Sequence, residues 1–193
     1  MSRVPAAGRT VKFEGGCGSL VATAYGEATG WPVLLLHGGG QTRHAWGRTG
    51  EALARAGAWA VCVDARGHGD SDWSTEGHYL VDDFVIDLAL LVDQIEASPA
   101  TGAPAVVGAS LGGWTAMLYE GERGPKLSAV IPVDIAATVQ EAGIERVVSF
   151  MLEHGHGFAS LQAVADAVAA YLPHRKARSN LNGLRKNVRL RDG

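Results

Sequence analysis

The chain has 193 residues, of which 47% are hydrophobic and 19% charged, and its formal net charge is −3. This length allows one domain with a real core, and the charge gives no overall reason to expect a nucleic-acid partner. Two isolated cysteines exclude a disulfide framework, and no apolar run approaches the roughly 18 residues that span a bilayer. Residues 1–12 lack the apolar segment of a secretory signal, so we expect a reducing, cytoplasmic location.

Short apolar runs alternate with amphipathic helix patterns along most of the chain. Residues 10–13 and 20–25 flank a glycine-rich turn, which predicts an antiparallel hairpin. Four later runs are apolar throughout: 33–36, 59–63, 105–107 and 129–133. Such runs are typical of strands covered on both faces of a parallel sheet. Helices are predicted over 44–57, over 82–97 and from 111 to about 121. The predicted fold class is therefore α/β, with a mostly parallel sheet and flanking helices.

The pattern changes after Asp134. Residues 138–154 and 158–171 predict two helices, residues 180–186 predict a short third one, and no further apolar strand follows. Seven of the 17 lysine and arginine residues lie between positions 175 and 191. We interpret this basic tail as the solvated face of a helical segment rather than as a phosphate or membrane patch.

A serine between two glycines lies where the 105–107 strand meets the following helix. Gly108, Ser110 and Gly112 form a Gly-x-Ser-x-Gly motif, which between a strand and a helix is typical of a nucleophile elbow. The sharp turn strains the serine backbone and lifts its hydroxyl above the sheet edge. The helix behind it directs free N–H groups and its positive dipole end toward the place where an oxyanion forms. The alternative is a tight turn with an inert serine.

A second glycine-rich segment, His37 with the three glycines after it, follows the 33–36 run. Glycines let backbone N–H groups approach a substrate carbonyl oxygen, and with the N–H of Leu111 they would form an oxyanion hole. Gly39 is our first choice for the second donor, and Gly40 is the alternative. If the segment has no catalytic role, it is a flexible strand-to-helix turn. We expect His37 to brace this loop by hydrogen bonding rather than to act as a base.

Two further polar segments follow apolar runs. Residues 64–72 lack the aspartate spacing and the glutamate of an EF-hand loop, so they predict a self-bonded turn below the active site rather than a metal site. Asp134 follows the 129–133 run and could orient a catalytic histidine or cap the next segment; we favour the cap. Because parallel strands end at one edge of an open sheet, all these segments are expected at the edge where ligands bind.

Together these residues resemble the α/β-hydrolase superfamily, over about residues 10–190. The motifs that carry the resemblance occur in the family's order and spacing: 36–40, 64–71 and 108–113. The resemblance implies the serine-nucleophile branch of esterases, C–C hydrolases and cofactor-free haloperoxidase-like enzymes. Related epoxide hydrolases and haloalkane dehalogenases carry aspartate at the position of Ser110, so their chemistry is disfavoured. The resemblance also implies that residues 1–135 are the N-terminal part of the hydrolase core. Residues 136–193 would be a helical cap segment, which shapes the substrate pocket.

The chain departs from the family in its last part. The family's triad runs serine, then aspartate or glutamate, then histidine, with the last two on loops beyond the cap. None of the seven histidines follows a strand downstream of the cap: His37, His44, His68, His78, His154, His156 and His174. The resemblance therefore implies that the triad histidine and closing strands are absent, which leaves an open sheet edge and indicates a truncated or partial chain. A substitute, His154 or His156, is disfavoured.

These observations predict a serine-dependent hydrolase of a small ester, thioester, lactone or related carbonyl substrate, acting through an acyl-enzyme without metal or organic cofactor. Ser110 is the expected nucleophile, Gly39 and Leu111 the oxyanion donors, and Asp134 the candidate acid. Expected partners are the small-molecule ester-like substrate and, through the open edge, a second copy, but neither nucleic acid nor membrane. The alternative is a catalytically silent ligand-binding or interaction module that keeps the pocket without the proton relay.

Overall fold

The computed structural model describes residues 7–138, 141–171 and 181–190. The chain divides into two compact units, Met1–Ala137 and Thr138–Gly193. The first unit contains, in chain order, β1 (Arg9–Gly15), β2 (Gly18–Tyr25), β3 (Trp31–Leu36), α1 (Gly47–Arg55), β4 (Ala58–Val63), α2 (Val81–Glu96), β5 (Ala105–Ala109), α3 (Leu111–Arg123) and β6 (Ala129–Val133). The second contains α4 (Glu141–Glu153), α5 (Leu161–Tyr171) and a short 3₁₀ helix (Leu181–Asn187).

The six strands form one sheet in the order β1-β2-β4-β3-β5-β6. β1 and β2 are the predicted antiparallel hairpin, and β2 is also antiparallel to β4. β4, β3, β5 and β6 run parallel, each connected to the next in sequence through one α-helix. The predicted α/β class with a mostly parallel sheet is confirmed. The carboxyl ends of these four strands therefore lie at one edge, where ligands bind in open α/β sheets.

The central strands are covered on both faces, as their continuous apolar runs predict. Alternate residues of β3 point to opposite faces of the sheet. Leu34 packs in a core with Leu88 and Leu91 of α2, whereas Leu35 packs in a second core that Leu53 of α1 covers. The stiff, buried β3 fixes the position of the loop that follows it.

β6 departs from the prediction that every apolar run is covered on both faces. Ile131 is 42% exposed and Val133 is 38% exposed. In the part of the chain that the structure describes, β6 pairs with β5 alone. An apolar run indicates that a segment prefers the strand conformation, but it does not indicate which element packs on that strand.

Several helix boundaries also differ from the sequence prediction. The expected helix over 44–57 is a 3₁₀ turn (Arg43–Trp46) followed by α1, which ends before Gly57 because that residue has a φ of 97°. The short helix expected over 180–186 is a 3₁₀ helix. Much of the basic tail and His174 lie outside the described residues. Among the described helices, none has both the length and the apolar character needed to cross a bilayer.

The second unit is held together partly by aromatic side chains. The rings of Phe150 in α4 and Tyr171 in α5 lie 4.5 Å apart between centroids. Nη2 of Arg146 donates a hydrogen bond of 3.0 Å to the carbonyl of Tyr171. The ring of His154 contacts Phe150 edge-on and Phe158 at a tilt, at centroid distances of 5.1 and 4.7 Å. The two helices predicted after Asp134 therefore form and contact one another.

Candidate active site

Ser110 connects the end of β5 to the start of α3 in a strained backbone conformation. Its φ is 46° and its ψ is −112°, a region that residues other than glycine rarely adopt. Its N–H donates to the carbonyl of Val133 at 3.0 Å, and its carbonyl accepts from the N–H of Trp114 at 2.9 Å. The turn is thus fixed at both ends, and the serine itself is exposed to solvent.

The two glycines of the motif lie against backbone, so neither position has room for a side chain. A Cβ on Gly108 would lie 2.4 Å from the carbonyl carbon of Gly112. A Cβ on Gly112 would lie 2.6 Å from the carbonyl oxygen of Leu36, at the end of β3. Contacts below 3.0 Å require the backbone to move. These contacts explain physically why the tight strand-to-helix turn needs glycine on both sides of Ser110.

The glycine loop after β3 lies beside the serine. A Cβ on Gly38 would be 3.4 Å from the Cβ of Ser110. The N–H of Gly38 donates to Oε1 of Gln41, and the N–H of Gly40 donates to Nε2 of His68, both at 3.2 Å. Among the described residues, the N–H of Gly39 has no hydrogen-bond partner. The geometry therefore favours Gly39 over Gly40 as an oxyanion donor.

The second expected donor, the N–H of Leu111, belongs to the first residue of α3. The first N–H groups of an α-helix have no partner within the helix, and they lie at its positive dipole end. The helix begins directly after the strained serine, so this amide belongs to the same turn as the hydroxyl. Within the described part of the chain, the amides of Leu111 and Gly39 thus have no partner, and they come from the two segments beside Ser110.

His37 braces the loop, in the way that the sequence analysis expects. Its ring is 1% exposed, its Nδ1 lies 2.8 Å from the carbonyl of Gly38, and its Nε2 accepts a hydrogen bond of 3.1 Å from the N–H of Ala65. This pattern requires a neutral ring with the proton on Nδ1. Burial, with a further contribution from His68, lowers the pKa of His37 to about 4. Both ring nitrogens are occupied, so His37 is not placed to act as a base.

The segment 64–72 bonds to itself, and it also bonds to the glycine loop. The buried Asp64 accepts hydrogen bonds from the N–H of Arg43 at 2.6 Å and from the N–H of Asp70 at 3.0 Å. The guanidinium of Arg43 forms ion pairs with the carboxylates of Asp64 and Asp70. Burial opposes its charge, but the hydrogen bond to Asp70 and the charge of Asp64 outweigh that effect and raise the pKa of Arg43.

A second buried ion pair connects this segment to α2. Nε and Nη2 of Arg66 each donate a hydrogen bond of 2.7 Å to the two carboxylate oxygens of Asp87. Asp87 also accepts a bond of 2.7 Å from the N–H of Gly16 in the β1–β2 turn. The hydrogen bonds to Asp87 raise the pKa of the Arg66 guanidinium. Sequence reasoning did not identify this pair, because its members are 21 positions apart and Asp87 belongs to no motif.

Asp134 directly follows β6 and has a φ of 54°. It is exposed, and no hydrogen bond to its carboxylate occurs among the described residues. Its strand neighbour Val133 is the residue whose carbonyl accepts from the N–H of Ser110. The structure thus places Asp134 at the same sheet edge as the serine.

The described histidines of the first unit form no hydrogen bond with Ser110, so none of them is placed as its proton relay. Within the described residues, no hydrogen bond reaches the Ser110 hydroxyl. His154 and His156 belong to the second unit, and His174 lies outside the described residues. No group of three or more His, Cys, Asp or Glu residues in the described ranges could hold a metal ion.

A family comparison agrees with this geometry. The model of the serine aminopeptidase S33 family matches residues 28–176. The chain belongs to this family of α/β hydrolases. The match includes the glycine loop, the 64–72 segment, the serine elbow and most of the second unit, so the resemblance expected from the motifs is confirmed.

Individual relatives include enzymes from bacteria and mouse. The esterase Rv0045c of Mycobacterium tuberculosis is 33% identical over 165 residues, which are 83% of this chain and 53% of the esterase. An sn-1-specific diacylglycerol lipase of Mus musculus is 33% identical over 112 residues, covering 58% of this chain and 34% of the lipase. The chain therefore spans about half the length of the first relative and a third of the second.

Solved structures share the same fold. A structure of the M. tuberculosis esterase aligns with a TM-score of 0.67 and 29% identity, over 96% of this chain and 62% of that one. An α/β hydrolase of Novosphingobium aromaticivorans aligns with a TM-score of 0.69 and 25% identity, over 84% of this chain and 56% of that one.

Proposed function

We propose that this α/β hydrolase uses Ser110 as the nucleophile to cleave a small ester or related carbonyl substrate. The observation that carries the proposal is the backbone of Ser110, whose φ of 46° is maintained between a parallel strand and the start of a helix. Strained non-glycine residues persist only where the surroundings hold them, and such strain clusters at functional sites. The names of the relatives, an esterase and a lipase, support ester hydrolysis as the reaction class.

In this mechanism Oγ of Ser110 attacks the substrate carbonyl carbon, and the carbonyl oxygen becomes an oxyanion. The amides of Gly39 and Leu111 donate hydrogen bonds to that oxyanion, and each such donor typically contributes about 10²–10³-fold in rate. The carbon–oxygen bond to the alcohol then breaks, and the alcohol leaves with a proton. Water attacks the resulting acyl-enzyme, which releases the acid and restores the serine hydroxyl.

The attack needs a base, because a serine hydroxyl is a weak nucleophile near neutral pH. In this proposal an imidazole, which is not identified among the described histidines, takes the proton from Oγ and later delivers it to the leaving alcohol. Asp134 is the candidate acid that orients this imidazole, on the ground of its position one residue beyond Val133 at the edge of the sheet.

Hydrolysis of p-nitrophenyl acetate and butyrate, followed at 405 nm by release of p-nitrophenolate at about pH 8, tests the proposal. We expect turnover by the native chain and a loss of at least about 10³-fold in Ser110→Ala. Ser128→Ala is the matched control, because Ser128 is exposed and lies at the opposite end of the strands, before β6. Turnover that is equal in both variants would rule out the proposal.

A silent binding module is the second candidate, and it is favoured by one observation. Among the described residues, no hydrogen bond activates the Ser110 hydroxyl. This candidate predicts ester or carboxylate binding without turnover, with the same affinity in Ser110→Ala. Calorimetric titration with a non-hydrolysable ester analogue, run beside the turnover assay, separates the two functions.

A further inference from the structure

The glycine loop after β3 needs support from outside, because three consecutive glycines give its backbone little conformational restriction. Within the loop, the N–H of Gly38 is held by the side chain of Gln41. The N–H of Gly40 is held by a different segment of the chain, through Nε2 of His68 at 3.2 Å. The unpaired amide of Gly39 lies between these two fixed points.

His68 is itself fixed in position and in protonation pattern. Its Nδ1 donates a hydrogen bond of 2.9 Å to the carbonyl of Arg66, so its Nε2 is free to accept from Gly40 only when the ring is neutral. Arg66 is in turn held by the two hydrogen bonds from its guanidinium to Asp87 of α2. A continuous set of hydrogen bonds therefore runs from the rigid helix to the glycine loop.

We propose that His68 is a positioning residue that fixes the oxyanion loop by accepting the hydrogen bond of the Gly40 amide. In this role His68 acts through Gly40 on the direction of the neighbouring Gly39 amide. The inference rests on the proposed function of Ser110 and assigns the second anchor of that site. His37 supplies a parallel connection to Ala65, and the two imidazole rings lie 5.0 Å apart between centroids.

Two substitutions of similar size separate the role of Nε2 from the presence of a polar side chain. His68→Gln places an amide oxygen near the position of Nε2 and retains an acceptor for Gly40. His68→Asn ends near the position of Nδ1, so it retains a partner for the carbonyl of Arg66 but is too short to reach Gly40. Each substitution thus keeps one of the two hydrogen bonds of His68: His68→Gln keeps the one to Gly40, and His68→Asn keeps the one to Arg66.

In the p-nitrophenyl ester assay we expect His68→Asn to lower kcat about 10²-fold with little change in KM, because a misdirected oxyanion donor weakens transition-state binding. His68→Gln is expected to restore most of kcat. Equal kcat values in the native chain and both variants would overturn the proposal. An equal loss in both variants, accompanied by the same fall in Tm, would indicate a general structural role instead.

Amide hydrogen exchange of Gly40, measured by NMR, gives a readout that does not depend on turnover. We expect exchange to accelerate in His68→Asn and to stay near the native rate in His68→Gln. If that pattern appears while Ser110→Ala leaves turnover unchanged, the proposed function fails but His68 still fixes the loop. Identical exchange in all three proteins would contradict the inference, whatever their activity.

Discussion

Ser110 and Asp134 are the two non-glycine residues with positive φ in the described chain, and they follow adjacent parallel strands. A backbone hydrogen bond of 3.0 Å from Ser110 to Val133 connects the two strand ends. Aspartate adopts positive φ more readily than most residues, so the turn at Asp134 has a local explanation, whereas the turn at Ser110 has none apart from its surroundings. The strain at the serine is therefore the stronger indication of function.

The role of Asp134 is tested by Asp134→Asn, which keeps the side-chain size and the tolerance of positive φ. If the carboxylate orients the catalytic imidazole, kcat for ester hydrolysis falls by about tenfold to 10⁴-fold while Tm stays unchanged. Steady-state kinetics and thermal unfolding measure both quantities. Unchanged kcat would show that Asp134 serves the turn alone.

Gly108→Ala is expected to disrupt the serine elbow. The added Cβ would meet the backbone of Gly112 at 2.4 Å, so β5 and α3 must separate. We expect a destabilisation of about 1–3 kcal/mol, with loss of p-nitrophenyl ester hydrolysis. Gly121→Ala in α3 is the control, because no atom lies within 4 Å of its added Cβ. That change should stabilise the protein by about 0.5–1 kcal/mol in urea unfolding. A Gly108→Ala protein more stable than the Gly121→Ala protein would contradict the elbow geometry.

The buried neutral His37 predicts a loss of stability in mild acid. Its pKa falls from 6.5 to about 4 on folding, so between these values the unfolded chain binds a proton that the folded chain does not. The free energy of unfolding therefore decreases as the pH falls through this window, by about 3 kcal/mol in all. Urea unfolding from pH 7.5 to 4 measures the decrease. His37→Gln retains an acceptor for Ala65 without titrating, so its curve should be flatter; parallel curves would refute the assignment.

The ion pair between Arg66 and Asp87 should contribute strongly to stability, because removal of one partner leaves a buried charge. We expect Asp87→Asn to lower the free energy of unfolding by about 3–5 kcal/mol. Asp93→Asn on the exposed side of the same helix should change it by less than about 0.5 kcal/mol. Chemical denaturation of both variants makes the comparison, and similar values for the two would show that the pair is dispensable.

The sequence predicts those parts of the fold and site that depend on neighbouring residues. The elbow at Ser110 follows from a strand, two glycines and a helix within a few positions, and each acts locally. The bracing role of His37 also follows from its place in the loop. Its partner, Ala65, is not predictable, because it lies two residues beyond the neighbouring parallel strand β4, and their contact exists only once the sheet has formed.

The remaining features depend on tertiary packing and have no local signal. Nothing near His68 in the sequence indicates that its ring accepts the amide of Gly40, 28 positions away. The pairing of Arg43 with Asp64 and Asp70 is equally non-local. The exposure of Ile131 in β6 is not predictable either, since an apolar pattern predicts a strand but not which elements pack against it.

The central claim is that Ser110 has a reactive hydroxyl, and covalent labelling tests it most directly. The chain would be treated with a fluorophosphonate, whose phosphorus–fluorine bond breaks as the serine oxygen bonds to phosphorus, and then analysed by intact mass and peptide mapping. The account predicts one adduct per chain, located on Ser110, absent from Ser110→Ala and present in Ser128→Ala. An unlabelled native chain, or an adduct on another residue, would contradict it.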